Sequence, residues 1–264
     1  MGGFTADWLA LREPADAAAR AARLAAPFAR DDGSPLRIVD LGAGSGANLR
    51  YLAPRLRGAQ KWLAVDKDAG LLVALTSRPA PPGVAVRTRV VDLARSLEML
   101  SFDDCDLVTA AALLDLVSAS WLQRLANRCA TARAGVLFAL TYDGRIEWTP
   151  EDPEDGLARE LVNRHQLRDK GFGPALGPAA GREAVALFEA RGYELTTARS
   201  DWELGPESAA LQSALVRGWA AAGSEVDPGA ANRLAEWRKR RLARIVAGES
   251  RLRVGHVDAA GQPG

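Results

Sequence analysis

Ile38-Val39-Asp40-Leu41-Gly42-Ala43-Gly44-Ser45-Gly46-Ala47-Asn48 is the stretch on which the reading of this chain turns. Ile38 and Val39 are β-branched and apolar, which suits a buried strand. Asp40 closes that strand, and glycines at alternate positions open the turn after it. Without a Cβ the backbone can turn tightly and come close to a ligand. The first amides of the next helix then point at that ligand unpaired. The stretch therefore predicts a nucleotide-like ligand at the first strand-to-helix turn of an α/β sheet.

Working outward, the same punctuation recurs. Strands are predicted at Arg37–Leu41, Trp62–Val65, Val84–Val91, Cys105–Ala110 and Gly135–Thr141. Between them lie predicted helices Ala47–Leu56, Ala69–Thr76 and Trp121–Ala132. This alternation argues for a parallel sheet covered on both faces. The first three strands each end in an acid: Asp40, Asp66 and Asp92. In an open α/β sheet ligands sit at the carboxyl ends of the strands, so three carboxylates should line one rim. A carboxylate only accepts hydrogen bonds and can accept two at once, which suits a pair of ribose hydroxyls. Any one of these acids could instead simply cap a helix.

Val39–Gly46, Val65-Asp66, Asp92-Leu93 and Asp106–Leu116 stand in the order found in the class I S-adenosylmethionine-dependent methyltransferases, and the stretch from about residue 36 to 141 resembles that family. The resemblance implies a Rossmann-like fold: a mostly parallel seven-stranded sheet, helices on both faces and an antiparallel edge strand. It implies cofactor roles for Asp40, Gly42, Gly44, Gly46, Asp66 and Asp92. Asp40 would orient the methionine ammonium and Asp66 would hold the ribose. Asp92 would accept from the adenine amino group, with the Leu93 amide donating to a ring nitrogen. Main-chain contacts would come from around Ala110.

Gly42-x-Gly44-x-x-Ala47 also fits the dinucleotide fingerprint, with Asp66 at the expected distance. Asp40 separates the two readings. A pyrophosphate at this turn would be repelled by the carboxylate, whereas a sulfonium and an ammonium would be attracted. An NAD-linked oxidoreductase is thus the second reading, and a non-catalytic cofactor-binding module a further one.

The chain has 264 residues, 48% hydrophobic and 25% charged, as expected of one globular domain with a substantial core. We expect a helical cover over 1–34, with a helix over 8–30 for which Glu13-Pro14 is a plausible start and a turn over Asp31–Pro35, and a cofactor-binding core over 35–141. A substrate or lid segment over 142–181, rich in acid, Pro and Gly, would come next, then the rest of the sheet over 182–264, with a strand at Tyr193–Leu204, a helical insertion at 206–247 and a last strand at Arg251–Val257 on the sheet edge. A formal charge of +1 gives no global electrostatic case for nucleic acid or an anionic membrane. Cys105 and Cys129 lack metal-site or disulfide spacing, so no metal is expected and a cytoplasmic location is. No apolar run reaches the ~18 residues that span a bilayer.

Methyl transfer needs alignment of a nucleophile and exclusion of water, with a base only when the nucleophile arrives protonated. After the fourth strand, Ala110-Ala111-Ala112-Leu113-Leu114-Asp115 lacks the Asn/Asp-Pro-Pro-aromatic pattern of enzymes that methylate exocyclic amines, and it suits a small-molecule acceptor. Substrate contacts are expected from Tyr142, Arg145, Trp148 and His165, with Tyr142, Asp143 and His165 as candidates for proton transfer. Asp115 either starts the next helix or reaches the site. The alternative acceptor is RNA, held by the basic run over 233–253: Arg233, Arg238, Lys239, Arg240, Arg241, Arg244, Arg251 and Arg253. Against it, Leu234, Trp237, Leu242, Ile245 and Val246 give that helix an apolar stripe, which leaves the charges on a solvated face.

Overall fold

Strand β1 (Leu36–Leu41) lies between β2 (Gln60–Asp66) and β4 (Leu107–Ala111), parallel to both, because its side chains are buried on both faces. The computed structural model describes residues 5–30 and 33–264. With β3 (Val84–Val90), β5 (Gly135–Thr149), β6 (Tyr193–Arg199) and β8 (Arg251–Pro263), the sheet runs in the order β3-β2-β1-β4-β5-β8-β6. The short β7 (Trp202–Leu204) also pairs with β8. From β1 the chain builds one way through β2 and β3, then returns to the other side of β1 for β4 and β5. That reversal leaves a crevice above β1 and β4, where a ligand has room.

Alternate residues of β1 feed two cores. Val39 and Leu41 face Val108, Phe138 and the helices α5 (Ala119–Ala132) and α7 (Ala180–Glu189). Leu36 and Ile38 face Trp62, Leu107, Leu137 and the helix α2 (Ala47–Leu52). The glycine turn therefore joins a strand and a helix that are both anchored by burial. Helices α3 (Ala69–Thr76) and α4 (Leu93–Ser96) come after β2 and β3.

The structure departs from the sequence reading in four places. The first helix, α1, spans Ala6–Ala19 and carries Pro14 inside it, not at its start. Its cap is Thr5, whose hydroxyl accepts from the Trp8 amide at 3.2 Å. The chain then leaves the helix at Arg20 and makes a tight helical turn over Ala22–Phe28. The turn expected over 31–35 lies partly outside the described residues.

Secondly, Tyr142–Thr149 continues β5 rather than opening an irregular lid. Two register shifts against β8, between Phe138 and Thr141 and between Tyr142 and Ile146, put Tyr142, Ile146 and Trp148 into a third core. Thirdly, the predicted single strand Tyr193–Leu204 is broken at Ser200 and Asp201 into β6 and β7, which makes eight strands among the described residues. Asp201 turns its carboxylate to Arg145 and to the His256 amide at that break. Fourthly, β8 extends to Pro263, and this antiparallel strand sits one place in from the sheet edge, between β5 and β6.

The far halves of β5 and β8 carry α6 (Asp155–Gln166), α8 (Ala209–Val226) and α9 (Ala231–Val246). Trp148 meets Trp219 and Trp237 edge-on at 5.7 and 5.6 Å between ring centroids. Four of the six basic residues of α9 face the acidic turn that precedes α6. Arg240 pairs with Asp152 at 2.8 Å and Arg233 with Glu154 at 2.7 Å, while Arg244 donates to the carbonyls of Pro150 and Glu151. The Arg241 side chain has no exposed surface and is held by Asp155 and the Pro150 carbonyl. Removing one partner of a buried ion pair strands the other charge. Asp155→Ala is thus expected to lower unfolding free energy by about 3 kcal/mol in urea titration. A loss below about 1 kcal/mol would show that the pair behaves like a surface contact.

Candidate cofactor site

The glycine turn is tied down from β2. The Ala43 amide donates to the Val65 carbonyl at 2.9 Å, and the Gly44 amide to Asp66 Oδ2 at 2.8 Å. Gly46 has φ of 87°, and a Cβ there would sit 2.7 Å from Leu75 Cγ. No other residue fits that corner. At Gly44, φ is 51° and a Cβ would come within 3.1 Å of Leu9 Cδ1. Helix α1 thus lies directly over the turn. Its Glu13 holds Arg50 of α2 at 2.6 Å, and Arg50 in turn donates to the Ser45 carbonyl.

Asp40 has no exposed surface. Its Oδ1 accepts from Asn48 Nδ2 at 2.7 Å, and its Oδ2 meets no partner. Burial pushes this carboxyl up to about 7, against the Asn48 hydrogen bond and the Arg20 charge, which pull it down. Asn48 also accepts from Arg20 Nη1 at 2.8 Å and donates to Thr109 on β4 at 3.2 Å. Helix α1, the turn, β1 and β4 therefore converge on one polar knot.

Asp66 ends β2 half-buried, accepting from Gly44 through one oxygen and from the Asp68 amide at 2.9 Å through the other. Each oxygen keeps a second lone pair. Asp92 caps α4 through the Ala94 amide at 3.1 Å and is otherwise exposed beside Arg95. Leu93 opens that helix with its side chain buried. Ala110 lies in the ladder between Leu41 and Phe138, and the chain leaves the sheet at Ala112, whose φ is 52°. The glycines, Asp40, Asp66, Asp92 and Ala110 thus stand at the carboxyl ends of four adjacent parallel strands or in the turns after them.

The donor set fits S-adenosylmethionine. Asp40 offers a buried oxygen without a partner, which an ammonium would satisfy and a pyrophosphate would not. Helix α1 and α2 enclose a cavity of about 180 Å³ lined by Asp16, Arg20, Asn48, Tyr51, Ala111 and Leu140.

The residues expected at the acceptor are more dispersed. Tyr142 is buried and donates to Asn163 Oδ1 at 2.7 Å, and burial raises its pKa. Asp143 and Asp201 both bind Arg145, so the guanidinium is already engaged. Trp148 is core. His165 lies on α6 against Lys170 at 3.2 Å and Glu225 at 3.5 Å, and burial followed by the Lys170 charge lowers its pKa. His256 is buried between Tyr142 and Trp202, and burial pushes it down to about 3. Sequence reasoning passed over Arg20 and Asn48. Arg20 is one arginine in an alanine-arginine run, but Asn48 could have been flagged as a polar residue on the inward side of α2. Asp115, left open by the sequence, is buried after β4 with Oδ1 unpartnered, and burial pushes it up to about 6.

A family model described as "Methyltransferase domain" matches residues 38–133. No curated protein matches the chain. Among solved structures, a cyclopropane-fatty-acyl-phospholipid synthase-like protein from Lactobacillus casei superposes with a TM-score of 0.55 at 14% identity, over 98% of this chain and 94% of that one. Phosphoethanolamine N-methyltransferase 2 from Haemonchus contortus gives a TM-score of 0.48 at 13% identity, and this chain, 99% covered, spans 59% of its length. Geranyl diphosphate C-methyltransferase from Streptomyces coelicolor gives 0.46 at 12% identity, over 92% of this chain and 76% of that one. The matched segment, which is similar to a methyltransferase domain, contains the glycine turn, all three rim acids and β4, and the sheet built around it has the Rossmann-like strand order.

Proposed function

We propose that the enzyme transfers the methyl group to a small-molecule acceptor held under α1, and that the cofactor lies along the rim from Asp40 to Asp92. The observation that carries the acceptor class is the enclosure of the rim by α1, with Leu9 against Gly44 and Glu13 clamped to Arg50. A macromolecular acceptor needs an open approach flanked by free cations. Here Arg233, Arg240, Arg241 and Arg244 are already bonded to residues 150–155, which weakens the RNA reading. Among the described residues no helix is long and apolar enough to cross a membrane. Two buried free cysteines suit a cytoplasmic location.

The bound donor supplies an activated methyl on a cationic sulfur. Asp66 receives the ribose hydroxyls through the lone pairs its backbone contacts leave free. Asp92 and the Leu93 amide meet the adenine, and Gly42, Gly44 and Gly46 let the backbone lie against the donor. Asp40 receives the ammonium. On the acceptor side Asp115 has an unpartnered buried oxygen suited to taking a proton from an N–H or O–H nucleophile. Tyr142, Asp143, Arg145 and His165 stand nearer the wing of β5 and shape the far wall.

Calorimetric titration with S-adenosylhomocysteine and with NAD tests the donor: saturable binding of the first and none of the second is expected, and the reverse would overturn the assignment. Asp66→Ala is expected to weaken S-adenosylhomocysteine by about 1–3 kcal/mol, the cost of unpairing hydrogen-bonded polar groups. Unchanged affinity would remove the ribose role.

The protonation of Asp40 gives a further outcome. The free enzyme holds this carboxyl protonated up to about 7, and an ammonium favours the ionised form, so binding below that pH releases a proton. Affinity for S-adenosylhomocysteine is expected to climb as pH rises from about 5 to 7 and to level off above, and Asp40→Asn should flatten the climb. A flat wild-type profile would show that the ammonium lies elsewhere.

A further inference from the structure

Asp115 sits in the turn after β4, 7% exposed and with Oδ1 unpartnered. Three elements act on its charge: Arg12 from α1, the backbone of Tyr142 from β5, and Lys170 from the loop after α6. Arg12 is committed to Asp16, which it meets through Nε at 2.9 Å and Nη2 at 3.0 Å, and a guanidinium does not give up its proton. The Tyr142 hydroxyl is committed to Asn163. That leaves Lys170 as the neighbour able to exchange a proton with the acid. The loop carrying Lys170 is fixed against the segment carrying Asp115. Asp169 Oδ1 gathers the Gly171 and Gly173 amides at 2.6 and 2.9 Å. Phe172 then meets Trp121 edge-on at 5.4 Å, and the Leu176 amide donates to the Val117 carbonyl at 2.8 Å.

On its other side Lys170 joins a series of contacts that leads to the surface. Its Nζ lies 3.2 Å from His165 Nδ1 and donates to the His165 carbonyl at 3.1 Å. His165 Nε2 stands 3.5 Å from Glu225 Oε2, and side-chain exposure climbs from 14% at the histidine to 62% at the glutamate. An ammonium only donates, so Nδ1 accepts and the neutral ring carries its proton on Nε2, toward Glu225. Arg168 donates to the Glu225 carbonyl at 2.9 Å and stands 3.5 Å from its carboxylate. Burial and then a neighbouring cation, Arg168 for Lys170 and Lys170 for His165, lower both pKa values, while Glu225 supports both charged forms.

We propose that Lys170, His165 and Glu225 form the path by which the proton taken up by Asp115 reaches solvent. As the acceptor atom gains the methyl, its bond to hydrogen breaks, the electron pair stays on that atom, and the proton goes to Asp115 Oδ1. Lys170 takes this proton as it gives one of its own to His165 Nδ1, so it remains an ammonium. The imidazolium sheds its Nε2 proton to Glu225 and on to water, and exchange with solvent restores the starting tautomer. Asp115 ends ionised, and one proton has crossed from the crevice to the surface. Lys170 and His165 act through Asp115 and are positioning residues. The inference rests on the proposed role of Asp115 and is independent of the donor site between Asp40 and Asp92.

The test is nitrogen NMR on the full chain with isotope-labelled histidine and lysine. His165 and His256 are the 2 histidines, and burial pushes His256 down to about 3, so it stays neutral near neutral pH and serves as the reference. Neutral His165 is expected as the Nε2–H tautomer. Its titration curve should carry a second inflection where Asp115 titrates, since linked groups titrate together. Asp115→Asn and Lys170→Met should each remove that inflection. His165→Gln should slow exchange of the Lys170 ammonium protons with water by about tenfold or more, the scale on which a positioned side chain speeds proton transfer. An unmoved His256 signal shows that a variant has folded.

A wild-type His165 in the Nδ1–H tautomer, or with a single inflection, overturns the path whether or not any variant folds. An inflection that survives Lys170→Met in folded protein overturns the role of the lysine. Lysine exchange unchanged in His165→Gln overturns the role of the histidine. Calorimetry with S-adenosylhomocysteine on the same wild-type sample separates this inference from the donor reading. Protein that binds the compound yet shows no linkage between Asp115 and His165 overturns the path alone. Protein that shows the linkage but ignores the compound keeps the path and loses the donor.

Discussion

A carboxylate sealed from water at the end of β1 sets the terms for everything near the crevice. Asp40 can be buried there only because Asn48 donates to it, and Asn48 is in place only because the glycine turn delivers α2 beneath it. Such a group is costly to leave alone, so its partners are fixed more firmly than packing would fix them. Thr109 ties the same amide to β4, and Arg20 ties it to the end of α1. The position of α1 over the turn results from that tether together with the Glu13–Arg50 pair. One buried acid therefore organises the strand, the helix after it, the neighbouring strand and the segment that covers them.

The other half of the molecule is built on a different principle. Beyond the parallel core β5 and β8 run on as an antiparallel ribbon, and three helices close over its apolar face. Two opposite charge blocks, Glu151–Asp155 and the arginines of α9, meet there and neutralise each other. Most of these pairs are half-exposed and add little individually. The Arg241 pair is the exception, since the guanidinium is fully buried and bonded to both Asp155 and a backbone carbonyl. It fixes how α9 sits on α6.

This difference explains what the sequence could and could not tell. The parallel core was legible because each strand is a short apolar run ended by an acid or glycine, and because the turn after β1 tolerates only glycine at Gly46. The rim acids belonged to the same pattern. The ribbon was not legible: Leu140 takes a left-handed φ of 55° and the register shifts twice, so the alternation of Tyr142, Ile146 and Trp148 starts afresh after an interruption. The acidic turn read as part of a substrate or lid segment and the basic helix as a solvated face because each finds its partner some 80 to 90 residues away. Pro14 looked like a helix start, yet Thr5 supplies the stronger cap. Arg20 was hidden among other arginines, since nothing local marks the one that turns inward.

The two ends of the crevice have distinct electrostatic characters. At the turn, a half-satisfied guanidinium keeps spare donors close to a carboxylate with a spare acceptor. Past β4 the polar groups are mostly committed: Tyr142 has given its hydroxyl to Asn163, and Arg145 is shared between two aspartates. Asp115 stands apart, because burial favours its protonated form while the nearby Arg12 and Lys170 charges favour the ionised one. A carboxyl balanced in this way, with one oxygen unengaged, can exchange a proton near neutral pH.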